Sequence, residues 1–296
     1  MDQYQLNKRL IRESFDRAAS SYDEVAILQQ EVGQRLLERL ELIKLQPQRL
    51  IDVGAGTGAI SHQLARRYDR CEVITFDLAS QMLKQARQRL SLTSRWFGRQ
   101  RFLCGDAEQL PLADNSVDMI FSNFAIQWCP DLDQTFREFQ RILKPEGLLL
   151  FTTFGPDTLK ELRQAWQAVD KAVHVNSFID MHDIGDALMR AQLGDPVMDT
   201  ENLTLTYQDG MGVMRDLKAM GAHNVTAGRN HGLTGKQKLQ QMLANYEAFR
   251  NSDGLLPATY EVIYGHAWGT NKTPTQHAEE SSTVRIPISH IQRGRP

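Results

Sequence analysis

The sequence predicts an α/β fold: a doubly wound, mostly parallel, seven-stranded sheet with a helical insertion before its last strand. Three observations carry the prediction. Five short apolar runs alternate with amphipathic helical stretches between residues 49 and 154, the pattern of repeated strand–helix–strand units. The first run, RLIDVG (49–54), enters a glycine turn that leads straight into a helix. Beyond residue 154, strand-like segments at 202–207 and 258–268 flank a helical stretch at 209–257, and both are expected to join the same sheet.

The elements follow in order. Residues 5–22 read as helical, and after a short break Val32, Leu36, Leu40 and Ile43 recur on one face of a second helix that Pro47 closes. The helix GAISHQLARRY (58–68) follows the first strand. CEVITFD (71–77) is the second strand, and SQMLKQARQRL (80–90) a helix with Ser80 as its expected N-cap. QRFLCGD (100–106) and VDMIFSN (117–123) are the third and fourth strands. LDQTFREFQRIL (132–143) is a helix with Phe136, Phe139 and Leu143 inward, KPEG (144–147) a turn, and LLLFTTF (148–154) the fifth strand. Residues 157–193 read as mostly helical, NLTLTY (202–207) as a strand, and 210–250 as helical again. We read residues 1–268 as one domain: an N-terminal helical lid (5–45), a cofactor core (46–154), an acceptor region (155–208), the insertion (209–257) and the last strand (258–268). The polar tail 269–296 is expected to lack fixed structure, although VRIPISHI (284–291) has the alternation of an extra edge strand.

Composition narrows the function classes. The chain has 296 residues, 41% hydrophobic and 24% charged, which suits a globular protein with a well-buried core. A net charge of −2 argues against a chain-wide footprint for nucleic acid or membrane. Three scattered cysteines, Cys71, Cys104 and Cys129, make neither a disulfide framework nor a zinc site; buried reduced thiols are expected, and no metal. The N-terminus MDQYQLNKRLIRESF lacks an apolar signal region, and no apolar run reaches the roughly 18 residues that would span a bilayer. The expected location is cytoplasmic.

The glycine turn admits two cofactors. Gly54, Gly56 and Gly58 spell G-x-G-x-G, yet Gly54, Gly56 and Ala59 also fit a dinucleotide fingerprint. Asp52 sits two residues before Gly54. A carboxylate there repels a pyrophosphate but accepts from an ammonium group, which favours S-adenosylmethionine over NAD. Asp77 ends the second strand, where an acidic residue bonds ribose hydroxyls in either case. Asp106 ends the third, placed to accept from an adenine amino group. The motifs DVGAGTG (52–58), FDLASQML (76–83), GDAEQLP (105–111) and VDMIFSN (117–123) together resemble the class I S-adenosylmethionine-dependent methyltransferases. The cofactor-binding candidates are Asp52, Gly54, Gly56, Gly58, Asp77, Leu78, Asp106, Ala107 and Asn123.

The methyl acceptor is sought at the carboxyl ends of the strands. In SNFAIQWCPDL (122–132) an apolar strand gives way to Asn123, Gln127 and Trp128, and His174 and Asn176 follow the fifth strand. Residues 210–240 hold five cations, Arg215, Lys218, Arg229, Lys236 and Lys238, against the single acid Asp216, a local charge of +4. SFDRAASSYDEVAILQ (14–29), SNFAIQWC (122–129), FTTFGPDTLKELRQAWQAVD (151–170), HVNSFIDMHDIG (174–185), DLKAMGAHN (216–224) and GRNHGLTGK (228–236) resemble the malonyl-[acyl-carrier-protein] O-methyltransferases of biotin synthesis, over nearly all of residues 8–268. The resemblance implies methylation of the free malonyl carboxylate on acyl carrier protein, with malonyl-coenzyme A as an alternative substrate. That chemistry needs alignment rather than a general base, and no Cys–His or Ser–His–Asp set is evident. Tyr22, Gln127, Trp128, His174, Asn176, His223 and Arg229 are the acceptor-site candidates, with Arg229 as a bidentate carboxylate clamp. Arg215, Lys218, Lys236 or Lys238 is expected to contact the acidic carrier. Two alternatives stay open: a carboxyl methyltransferase for a small free acid, and, from NSDGLLPATYEVIYGHAWG (251–269), a methyltransferase-like assembly factor that modifies or binds protein.

Overall fold

The computed structural model describes residues 6–91, 94, 98–221 and 235–271. Its centre is a seven-stranded sheet in the order β3-β2-β1-β4-β5-β7-β6. The strands are β1 (Arg49–Val53), β2 (Glu72–Asp77), β3 (Gln100–Cys104), β4 (Val117–Asn123), β5 (Leu143–Phe154), β6 (Gly194–Tyr207) and β7 (Leu256–Trp268). β1 to β5 are parallel, whereas β7 is antiparallel to both β5 and β6. The sequential order reverses between β1 and β4, and that switch point opens a crevice at the strands' carboxyl ends.

Both faces are covered, so the strands are apolar on both sides. Alternation divides them between two cores. Leu50, Met119, Phe121, Leu148 and Leu150 point to one core; Ile51, Ile120, Leu149 and Phe151 point to the other. The first core takes Val32 and Leu36 from α3 (Ile27–Arg39), Leu64 from α4 (Ala59–Arg67) and Trp166 from α7 (Lys160–Gln167). The second takes Phe136 and Phe139 from α6 (Leu132–Ile142) and Ile184 and Leu188 from α8 (Met181–Arg190). α1 (Lys8–Ala18) and the short α2 (Tyr22–Val25) lie across the crevice, and α1 packs on α5 (Ser80–Gln88). Asp16 on α1 accepts from the Gln81 backbone N–H at 2.8 Å.

The structure departs from expectation in several places. β6 begins eight residues before Asn202, because it pairs with β7 from Gly194↔Trp268 to Tyr207↔Leu256. Its first half hides from a periodicity reading: it is charged, and Pro196 sits at the register shift, a tolerated place for proline on an edge strand. The KPEG turn is a bulge inside β5, where the partner residues run from Val117↔Leu143 to Met119↔Leu148. Residues 168–180 are a loop between α7 and α8. Ser80 is the first residue of α5 and not its cap; the preceding Ala79 N–H donates to Asp77 instead. In the insertion, α9 (Gly210–Ala219) is capped by Asp209, and α10 (Lys236–Tyr246) packs on α7. Cys71 is buried, but Cys104 is exposed. VRIPISHI lies outside the described residues.

Candidate cofactor and acceptor site

The glycine turn is built for close approach. Gly54, Gly56 and Gly58 have φ of 74°, 55° and 75°, a region that L side chains rarely enter. A Cβ on Gly54 would lie 2.2 Å from that of Ala125, and one on Gly58 2.6 Å from that of Ala86. Those two glycines let the turn pack against its neighbours. Gly56 meets nothing closer than the Tyr22 ring at 3.9 Å and forms an open floor.

Two chambers meet over this floor. Tyr22, Gln29, Gly54, Gly56 and Asn123 line both of them. Asp77, Leu78, Asp106 and Ala107 line the first chamber only, and Asp52 the second. Asp52 is 2% exposed and accepts from the Ser61 hydroxyl. Burial, with Asp77 adding to it, raises its pKa to about 7. Asp77 accepts from the Gly56 and Ala79 backbone N–H groups, each at 2.8 Å, and burial raises its pKa to about 6 against those donors. A cationic group entering beside Asp52 would relieve its desolvation, while Asp77 keeps lone pairs for hydroxyl donors. The donor set fits a ligand with an ammonium at one end and a nucleoside at the other.

The lid is closed. Asp106, two residues beyond β3, receives the Lys8 ammonium of α1 at 2.6 Å, and Glu108 shares it at 2.5 Å. Burial opposes that charge, but the two carboxylates raise the Lys8 pKa above its usual value. Phe15 of α1 meets the Trp128 ring edge-on at 5.4 Å. The first chamber has a volume of about 110 Å³ and the adjoining second chamber about 580 Å³.

The acceptor candidates fall into three groups. Tyr22, Gln127 and Trp128 line the first chamber. Burial, with Asp77 and Asp23 nearby, pushes the Tyr22 phenol above its usual range, which makes it a neutral donor at pH 7. Gln127 braces its own loop: its amide donates to Phe124 O at 2.8 Å and accepts from the Thr153 hydroxyl at 3.3 Å. His174 and Asn176 line a separate cavity of about 930 Å³ on the far side of α1. His223 and Arg229 lie outside the described residues.

Two assignments change on inspection of their partners. Asn123 donates to Gln29 O at 2.9 Å and accepts from the Thr152 hydroxyl at 2.8 Å; it ties α3 to the strand ends, with both ends of its amide engaged. Lys238, expected on the carrier, pairs with Asp170 at 2.8 Å. The other oxygen of Asp170 meets His174 Nε2 at 2.7 Å, and the His174 ring stacks on Trp166 at 3.7 Å. The Lys238 ammonium and His174 hold the Asp170 carboxyl well below the usual carboxylate range. Sequence reasoning missed Lys8, Gln29 and Asp170. Lys8 and Asp106 stand 98 positions apart, and no local spacing announces such a pair. Among the described residues no group of three His, Cys, Asp or Glu could hold a metal ion, and no helix is long and apolar enough to cross a membrane.

Comparison with known proteins agrees with this geometry. Residues 51–151 match the family model for a methyltransferase domain. The chain is 58% identical over 269 residues to the malonyl-[acyl-carrier protein] O-methyltransferase of Methylovorus sp. (strain MP688), covering 90% of each chain. It is 48% identical to the protein of the same name from Halorhodospira halophila, covering 99% of this chain and 98% of the other. Among solved structures, the YcgJ protein from Bacillus subtilis superposes with a TM-score of 0.57 at 18% identity, covering 80% of this chain and 98% of that one, a likeness of fold.

Proposed function

This chain belongs to the malonyl-[acyl-carrier protein] O-methyltransferase family, and from that membership we propose that it methylates the free carboxylate of malonyl-acyl carrier protein, using S-adenosylmethionine. The product is the malonyl methyl ester that primes the biotin precursor chain. The observation that carries the cofactor reading is the pair of chambers over the glycine floor, with Asp52 in one and Asp77 and Asp106 in the other. Asp52 would hold the ammonium, Asp77 the ribose hydroxyls, Asp106 and Ala107 the adenine edge, and Leu78 a ring face. Gly54, Gly56 and Gly58 bring backbone close to the ligand.

When bound, the cofactor supplies a methyl carbon made electrophilic by its sulfonium. The protein's remaining tasks are positional. A malonyl carboxylate is ionised at pH 7, so no side chain has to remove a proton. Tyr22 and Trp128, on the walls of the first chamber, would orient the carboxylate and exclude water. α1 closes over both and is held shut by Lys8. Arg229 remains our proposed clamp for the carboxylate. Three free cysteines suit a reducing compartment, and we place the protein in the cytoplasm.

The test is transfer of label from S-adenosylmethionine to malonyl-acyl carrier protein, with malonyl-coenzyme A, free malonate and the malonyl methyl ester thioester as comparators. The expected result is a base-labile ester on the malonyl thioesters and no labelling of the methyl ester. Equal labelling of free malonate would move the assignment to a small-acid methyltransferase. Label on the carrier's own side chains would move it to a protein modifier.

A further inference from the structure

The cavity of about 930 Å³ beyond α1 shares no lining residue with the two chambers over the glycine floor. Its polarity is graded. Asn176 is 8% exposed, and among the described residues its Oδ1 meets no donor, a costly state for a buried amide oxygen unless a ligand supplies one. The walls are apolar, with Leu159, Leu162 and Phe178 on one side and Met214 and Leu217 of α9 on the other. The exposed lining residues Arg17, Arg215 and Lys218 carry three positive charges at its solvent side. Arg215 is 69% exposed and pairs loosely with Asp209 at 3.6 Å. Lys218 makes no ion pair among the described residues.

The inner end abuts the cofactor chamber. α1 turns Ile11 and Phe15 toward the first chamber and Ser14 and Ala18 toward this cavity. At the end of α9, Ala219 lines the cavity and Met220 the chamber. α1 and the end of α9 form the wall shared by the two spaces, where the Ser14 hydroxyl donates to Gly221 O at 3.0 Å. A ligand for this cavity is therefore a slender chain, anionic at its outer end, mostly methylene along its length, with an amide N–H midway and its reactive end at the α1 wall.

We propose that this cavity holds the 4′-phosphopantetheine arm that carries the malonyl group, with its phosphate at Arg17, Arg215 and Lys218 and an arm amide donating to Asn176 Oδ1. The inference rests on the malonyl-thioester reading and gives the acceptor a route distinct from the cofactor's. The arm is common to acyl carrier protein and coenzyme A, so the site serves both.

Calorimetric titration of the intact chain with 4′-phosphopantetheine and with pantetheine tests the site without turnover. The phosphorylated arm is expected to bind about tenfold more tightly, the scale of a charge-assisted contact. Arg215→Glu with Lys218→Glu should erase that difference, and Asn176→Leu should weaken both ligands. S-adenosylhomocysteine affinity and melting temperature serve as controls for folding. In turnover, the charge-reversal pair should raise KM for malonyl-acyl carrier protein and malonyl-coenzyme A by the same factor. A rise with the carrier protein alone would assign the two cations to the carrier's surface and overturn the arm site. So would arm binding that Asn176→Leu leaves unchanged, or no arm binding at all. A wild-type protein that binds the arm but leaves malonyl-acyl carrier protein unmethylated would instead overturn the functional reading and spare the cavity's.

Discussion

Asp52 and Asp77 face the same glycine floor from two chambers, and both carry carboxyls that burial pushes up, to about 7 and about 6. An acid with a raised folded pKa binds more protons folded than unfolded between the two values. The ligand-free protein should therefore lose stability as pH rises from about 4 through about 7. Asp52→Asn should flatten most of that slope in melting temperatures taken across the range. The ammonium of S-adenosylhomocysteine favours ionised Asp52, so its affinity should increase from pH 6 to pH 8 by calorimetry; an affinity independent of pH would remove Asp52 from the ammonium site. The rate at saturating substrates should stay flat over the same range, since both ligands hold their partners ionised. Asp77→Ala should cost about 1–3 kcal/mol of cofactor affinity, the scale of hydrogen bonds to a charged group, and NAD should not bind to either form. These carboxylates were legible in the sequence because strand ends and a glycine turn place them by local spacing. Asn123 was legible as a strand-end residue but not as a tie, because its partners Gln29 and Thr152 come from other elements.

Among the elements, α1 is the one we propose as the gate. It is fastened by Lys8 to Asp106 and Glu108, by Phe15 to Trp128 and by Asp16 to the start of α5. The Lys8 pairs are part-exposed, with side-chain exposures of 28% for Lys8, 37% for Asp106 and 16% for Glu108. Each pair is then worth no more than about 1 kcal/mol. Lys8→Met should leave melting nearly unchanged while speeding S-adenosylhomocysteine release several-fold, as read by stopped-flow fluorescence, and amide exchange in residues 8–18 should accelerate. An unchanged release rate would mean that another element gates the chamber. The sequence announces a helix within residues 5–22, observed as α1 at Lys8–Ala18, but not what it rests on, since ties across 98 positions leave no period. The same limit hid the first half of β6, whose pairing with β7 overrides a charged, proline-bearing stretch. It also hid the loop at 168–180, where helical composition yields to the Asp170–His174 contact.

At the scale of the whole molecule, a chain of net charge −2 keeps a group of its cations segregated. Arg17, Arg215 and Lys218 cluster at the mouth of the second cavity, and Lys236 opens α10 on the same insertion. Composition showed the excess of cations at 210–240 but could not sort steering charges from structural ones. Lys236 is exposed and makes no ion pair among the described residues. Lys238, two residues on, is tied to Asp170 and through it to His174 and the Trp166 ring. Charge reversal at the two lysines should therefore separate cleanly. Lys236→Glu should slow association with malonyl-acyl carrier protein, raise its KM and weaken the salt dependence, because rim charges act mainly on encounter. KM for malonyl-coenzyme A should hardly change. Lys238→Glu sets a carboxylate against Asp170 and loosens the seat of α10 on α7, so both substrates should suffer together, with a lowered melting temperature. If both variants spared malonyl-coenzyme A equally, Lys238 would return to the carrier-facing role that its sequence neighbourhood suggests. If Lys236→Glu harmed both substrates alike, steering by the insertion would be wrong, and the carrier would have to approach the cavity from the α1 side, where Arg17 is exposed.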